Sequence, residues 1–172
     1  MGFEDDFVAY YRARADHLRT TAYLLCGDWH QAQDLAQMTF TKLYRAWRRI
    51  ERHESLDQYA RRVLLRAYLD ERRRPWRREV PAEIIDPTMV APDGHSPDER
   101  VMLRAALARL PRRQRVVLVL RFWADLPVDQ VADLMGCAAG TVKSQTSDGL
   151  ANLRRVLGRA ADDLRHIPGG RT

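Results

Sequence analysis

The chain has 172 residues and a formal net charge of +6, with 45% hydrophobic and 30% charged residues. That length suits one medium or two small domains, each able to bury a core. The longest purely aliphatic run, Val116 to Leu120, is far too short to span a bilayer, so no membrane insertion is expected.

The composition also argues against several kinds of chemistry. Cys26 and Cys137 lie far apart and lack metal-ligand spacing, which predicts two reduced, buried thiols. The five histidines are scattered, with no H-x-x-H or Cys/His cluster. No glycine-rich phosphate loop or nucleophile elbow occurs. The reading is a protein that is not an enzyme, with no catalytic residue, cofactor or metal. Glu4, Asp5 and Asp6 stand where a secretory leader would be basic, so the expected location is the cytoplasm.

In chain order, a first helix is predicted from about Phe3 to Leu25, stopping near Gly27. A second starts after Asp28, a good N-cap. Its apolar stripe is Ala32, Ala36, Phe40, Leu43 and Trp47, with Trp47 assigned to the core. A third starts at Ser55, with Gln58 completing a capping box, and carries Leu56, Ala60, Val63, Leu64 and Ala67 on one side. Five of the eight prolines then fall between residues 75 and 97, a stretch without helical period that reads as an extended linker. Ser96-Pro97-Asp98-Glu99 opens another helix, with Val101, Leu103, Ala106, Leu107 and Leu110 as its apolar positions. Pro111 opens the next, with Val116, Val117, Leu120 and Trp123 as core candidates. No strand or repeat is evident. The expected fold is all-α: a helical domain over 1–75, a linker over 76–97, a second helical domain over 98–165 and a flexible tail over 166–172.

The stretch from Leu126 to Leu153 is the most informative. Two amphipathic helices flank a turn at Gly136-Cys137-Ala138. Ala132 suits a close helix approach, Gly136 suits a left-handed turn, and Val142 can plug the crossing. Val131, Met135 and Cys137 complete a small apolar core. This spacing is a helix-turn-helix, which lays its second helix in the DNA major groove.

A second signal is arginine density. Residues 45 to 78 hold twelve arginines against five acids, interleaved with Trp47, Tyr59, Tyr68 and Trp76. Guanidinium groups neutralise phosphate and flat rings stack on unpaired bases, which suits single-stranded or distorted nucleic acid. Arg62, Arg66 and Arg73 share a face opposite the third helix's apolar stripe, and Arg72-Arg73-Arg74 with Arg77-Arg78 form a run no nearby acids neutralise. On the second helix Asp34, Gln37 and Thr41 make a narrow polar strip beside the apolar stripe, with Lys42 adjacent. The residues alone give that strip no more than the standing of exposed surface.

A-Q-D-L-A-Q-M-T-F (Ala32 to Phe40) resembles the A-x-D-L-x-Q-x-x-F segment of bacterial sigma factors. L-P-R-R-Q-R-V-V-L-V-L-R-F (Leu110 to Phe122), followed by V-A-D-L-M-G-C-A-A-G-T-V-K-S, resembles their fourth region. Two regions in this order, joined directly by a linker, resemble the small extracytoplasmic-function class. The resemblance implies an RNA polymerase specificity subunit that directs core enzyme to promoters and assists their opening. It implies that Asp34, Leu35, Gln37 and Thr41 bind core polymerase. It implies that Arg49, Arg52, Arg62, Arg66 and Arg73 engage the −10 element and the melted strand. It implies that Thr141, Lys143, Ser144, Gln145, Ser147 and Asp148 meet the −35 element. An anti-sigma partner is a further family expectation, which no residue of the sequence identifies.

The sequence departs from the family pattern at several positions. Arg66 follows Val63-Leu64-Leu65 where an asparagine is usual, and Tyr59 takes the place of a tryptophan. Gln145 and Asp148 stand where the recognition helix often has arginines. An acid there either repels phosphate or accepts a hydrogen bond from a cytosine amino group. Gly149 is expected to weaken its helix by ~1 kcal/mol relative to alanine. The rival reading is a stand-alone helix-turn-helix repressor or activator whose N-terminal block senses a ligand or dimerises.

Overall fold

A left-handed glycine marks the end of the first helix, as the sequence requires. In the computed structural model, which describes residues 2–50, 55–71 and 97–165, α1 spans Phe3–Cys26 and closes on Gly27 at φ 75°. The Gly27 N–H donates to the Tyr23 carbonyl at 2.8 Å. At the other end the Asp5 carboxylate accepts from the Gly2 N–H, and three acids in the first turn complement the helix dipole. Asp28 then caps α2, Trp29–Ile50, by accepting the Gln31 N–H at 2.6 Å. The third helix, α3, spans Leu56–Glu71. Gln58 of the expected capping box is half-buried.

These three helices pack around one core. Ala15, Leu18, Ala22 and Leu25 of α1 meet Ala32, Leu35, Ala36, Phe40, Leu43 and Trp47 of α2. Helix α3 buries more than the expected stripe, because Leu65 and Tyr68 join Ala60, Val63, Leu64 and Ala67. Trp47 lies within 6.4 Å of the rings of Phe3, Phe7 and Tyr10, in edge-on arrangements that favour aromatic contact. It belongs to the core, as its place on the stripe predicts.

Polar groups tie α1 to α3. The Tyr10 hydroxyl donates to Asp57 Oδ1 at 2.9 Å, and Arg14 pairs with Asp57 Oδ2 at 2.8 Å. Burial, then the bond to Asp57, push the Tyr10 phenol well above its usual range. Nearby His17 is held below the ordinary imidazole value, first by burial and then by the Arg61 and Arg14 charges, with Asp57 pulling the other way.

The second group of helices opens with α4, Pro97–Ala108, and α5, Arg112–Leu118. Ala106, Leu107 and Leu110 are buried, while Val101 is exposed. Val101 precedes Leu103 by two residues, which puts it about 200° round the helix from that position. Helix α5 runs on into a π-helical turn, Val119–Trp123, closed by the Ala124 N–H donating to the Val119 carbonyl. Arg121 Nη1 donates to the Leu126 carbonyl at 2.6 Å and fastens the following loop.

Helices α6, Val128–Met135, and α7, Ala139–Arg165, complete the chain's described part. Gly136 sits at φ 62° and turns the chain between them. The Cys137 N–H reaches back to the Ala132 carbonyl at 3.0 Å, a Schellman-type closure. Val131 and Val142 are fully buried and Ala132 nearly so, whereas Met135 and Cys137 are half-buried. No strand occurs among the described residues.

By contacts the chain divides into two compact units, residues 1–85 and 86–172. Residues 76–96 of the expected 76–97 linker, with the Ser96 cap, and the tail over 166–172 lie outside the described residues, while Pro97 already belongs to α4.

Gly149 has a packing reason that the sequence did not show. A Cβ there would sit 3.2 Å from Leu118 Cγ and 3.3 Å from Gln114 Cβ, tighter than ordinary contact, so the facing side chains of α5 would have to give by a few tenths of an ångström. Leu118 is itself buried, so any shift it makes is against packed neighbours. Gly149→Ala should therefore cost about 1 kcal/mol net, overpacking outweighing the gain in helix propensity. A thermal melt that rises in the variant would contradict this packing argument.

His17 supplies a pH test. An imidazole kept neutral by the fold binds its proton more readily once unfolded. Its contribution is thus retained above the ordinary value of 6.5 and lost as pH falls through it. Melting temperatures between about pH 7 and about pH 5 should fall less steeply in His17→Gln than in the parent. Parallel curves would exclude His17 as a source of the acid sensitivity.

Candidate functional site

Helix α2 carries the first candidate surface, and its amphipathic register builds it. With Ala32, Leu35, Ala36, Phe40 and Leu43 buried, Asp34, Gln37 and Thr41 are left exposed on one side. The Thr41 hydroxyl donates to the Gln37 backbone carbonyl at 2.9 Å, and the Gln37 side chain is exposed. Leu35 is different. It is fully buried in the three-helix core, so it cannot offer its side chain to a partner. Its part is to hold α2 in the register that exposes its neighbours.

The strip borders a groove of about 670 Å³ between α1 and α2. Phe7, Tyr11, Phe40 and Tyr44 line its apolar part, with Gln37 and Thr41 among its polar lining. Tyr11 and Tyr44 are both more than a third exposed. The sequence reading had not singled out Phe7 and Tyr11. Their spacing of four residues at the start of α1 was the available signal.

The arginine-rich region divides by burial. Arg49 is exposed near the end of α2 and lines a second groove, about 320 Å³, with Lys42, Arg45, Ala46 and Tyr59. On α3, Arg66 is exposed and Arg62 is half-buried, four residues apart and so on one face. Tyr59 is half-buried at a groove where a flat ring could meet a base. Tyr68 has no exposure. The expectation that it interleaves with the arginines as a stacking platform is corrected, because it belongs to the core. Arg52 and Arg73, with the run at Arg72, Arg74, Arg77 and Arg78 and with Trp76, lie outside the described residues.

The third surface is the start of α7. Burial of Val142 and of Gly149 fixes its rotation. Lys143, Ser144, Ser147 and Asp148 are then exposed, with Thr141 and Gln145 half-buried beside them. The Ser144 hydroxyl donates to the Thr141 carbonyl, and that of Thr146 donates to the Val142 carbonyl. On the inner side Asn152 Nδ2 donates to Gln114 Oε1 at 2.7 Å, locking α7 on α5. This is the geometry that seats a second helix in the major groove.

Two family models match the chain in order: sigma-70 region 2 over residues 10–78 and sigma-70 region 4 over residues 100–153. The RNA polymerase sigma-E factor of Streptomyces coelicolor is 36% identical over 159 residues, covering 91% of this chain and 89% of that protein. The chain belongs to the sigma-70 family of RNA polymerase sigma factors. The sigma-E factor of Streptomyces avermitilis is 34% identical, over 88% of this chain and 85% of its own length. Relatives named as extracytoplasmic-function sigma factors include SigE of Mycolicibacterium smegmatis, 28% identical over 88% of this chain.

The fold agrees with solved sigma factors. RpoE from Bartonella quintana, determined in complex with the anti-sigma factor NepR, superposes with a TM-score of 0.76. That match has 24% identity and covers 89% of this chain and 97% of RpoE. CnrH, determined with the cytosolic domain of CnrY, gives a TM-score of 0.66 at 17% identity, covering 91% of this chain and 90% of CnrH. As a sigma factor, the protein directs core RNA polymerase to promoters. A stand-alone helix-turn-helix regulator would have no use for a region 2 fold ahead of its DNA-binding unit, and that alternative is not favoured. No described helix is long and apolar enough to cross a membrane.

Proposed function

We propose that the sigma factor's two helical units divide its work, one gripping core polymerase and the opened strand and the other reading intact duplex. In this reading residues 1–75 form the polymerase and −10 module, 76–97 the linker, 98–165 the −35 module and 166–172 a flexible tail. Asp34, Gln37 and Thr41 bind core polymerase, with Leu35 acting only from within the core. Arg49, Arg62 and Arg66 hold the melted −10 strand by its phosphates, joined by Arg52 and Arg73. Thr141, Lys143, Ser144, Gln145, Ser147 and Asp148 face the −35 duplex. The protein catalyses no reaction of its own and works in the cytoplasm, beside the polymerase and the chromosome. An anti-sigma factor restrains it, a proposal supported by the partners of RpoE and CnrH in their solved complexes.

The observation that carries the reading is the exposure of Asp34, Gln37 and Thr41 on a helix whose other side is fully buried. Free of structural duty, these side chains can be spent on a partner. Joining two modestly binding units in one chain then raises their joint hold on a promoter, since the second contact becomes intramolecular.

Asp34→Ala combined with Gln37→Ala should weaken co-purification with core polymerase at least about tenfold, the effect of losing roughly 1.4 kcal/mol at an interface. The melting temperature should stay within a degree or so of the parent, as expected for surface substitutions. Unchanged co-purification would remove the strip from the polymerase interface. Arg66→Ala should slow promoter opening, followed by permanganate footprinting, more than it weakens the closed complex. Equal opening rates would exclude Arg66 from strand capture.

A further inference from the structure

The face that α7 offers to DNA carries one negative charge, and at two of its positions, Ser144 and Asp148, it presents oxygens left to accept. Thr141, Ser144, Gln145 and Asp148 follow the i, i+3, i+4, i+7 spacing of a single helix face. The Ser144 hydroxyl has already given its proton to the Thr141 carbonyl at 3.0 Å, so toward solvent its oxygen is left to accept. The Asp148 carboxylate can only accept. Asp148 is exposed, and among the described residues it makes no hydrogen bond or ion pair. The next cations along the helix, Arg154 and Arg155, begin six residues on, about 9 Å further along the axis. Lys143 lies to one side, on the line of Ser147.

Such a face has a definite preference. In the major groove guanine shows two acceptors, N7 and O6, and these repel a carboxylate. Cytosine shows only its N4 amino group, a donor that a carboxylate can receive. Resting on the reading of α7 as the −35 helix, we propose that Asp148 is a specificity-determining residue that selects cytosine at one position of the upstream element. The Ser144 oxygen, one turn earlier on the same side, favours a second amino-bearing base beside it. The carboxylate also lowers affinity for every sequence through phosphate repulsion. The face therefore discriminates chiefly by rejection: a wrong base leaves an uncompensated charge in the groove.

The experiment uses the full chain with core polymerase, transcribing a promoter library randomised across the −35 element, with transcripts sequenced. The parent should enrich cytosine at one position by about tenfold, the scale of one good base contact. In Asp148→Ala that enrichment should vanish, and in Asp148→Arg the same position should turn to guanine. A cytosine preference that survives in Asp148→Ala would overturn the assignment of Asp148 alone. A parent enzyme that transcribes with no base preference anywhere upstream would overturn it together with the −35 role of α7. The substituted side chain is exposed, so folding is not at stake, and circular dichroism of each variant verifies this.

Discussion

Burial of the apolar stripe of α2 is the constraint on which the N-terminal unit depends. Ala32, Leu35, Ala36, Phe40, Leu43 and Trp47 commit one side of that helix to the core shared with α1 and α3. The rotation they fix decides which residues remain outward. Asp34, Gln37 and Thr41 are exposed because their neighbours are not. The same packing leaves Lys42, Arg45 and Arg49 outward, so the polar strip and the basic residues share one helix without competing for its core face.

The C-terminal unit works by the same logic with smaller parts. Ala132, Val131 and Val142 close the helix crossing, and Gly149 lets α7 lie against α5 where a methyl group would be crowded. The bond between Asn152 and Gln114 adds a polar lock on the same seam. A helix so fixed holds Ser144 and Asp148 exposed at a set angle. Rigidity here comes from close backbone approach more than from a large core.

Charge is shared unevenly along the chain. The stretch over residues 45 to 78 holds twelve arginines against five acids, a net charge larger than the +6 of the whole chain. The exposed face at the start of α7 has one lysine and one aspartate. Under the proposed division of work, phosphate attraction falls chiefly to the unit that handles opened strands, and base selection to the unit that handles duplex. A single-stranded backbone is flexible and needs many weak ionic contacts, whereas an intact groove rewards a few well-aimed hydrogen bonds.

Much of this was determined by the sequence itself. Helix boundaries followed from local signals: Gly27 and Gly136 in left-handed turns, Asp28 as a cap, and periodic apolar residues whose faces need no knowledge of a partner. The helix-turn-helix was legible for the same reason, since its spacing is local. Other features depended on contacts between residues far apart in the chain. Leu35 sits inside the D-L-x-Q pattern, yet the packing of α1 and α3 over it makes it core. Tyr68 looked like a stacking ring until its lack of exposure placed it on the buried side of the arginines' own helix. Gly149 read as a weak point and proved to be a close approach, because Leu118 and Gln114 lie more than thirty residues away along the chain. Periodicity reports one helix at a time; which side of a helix another one covers, and how closely, is decided only when the helices meet.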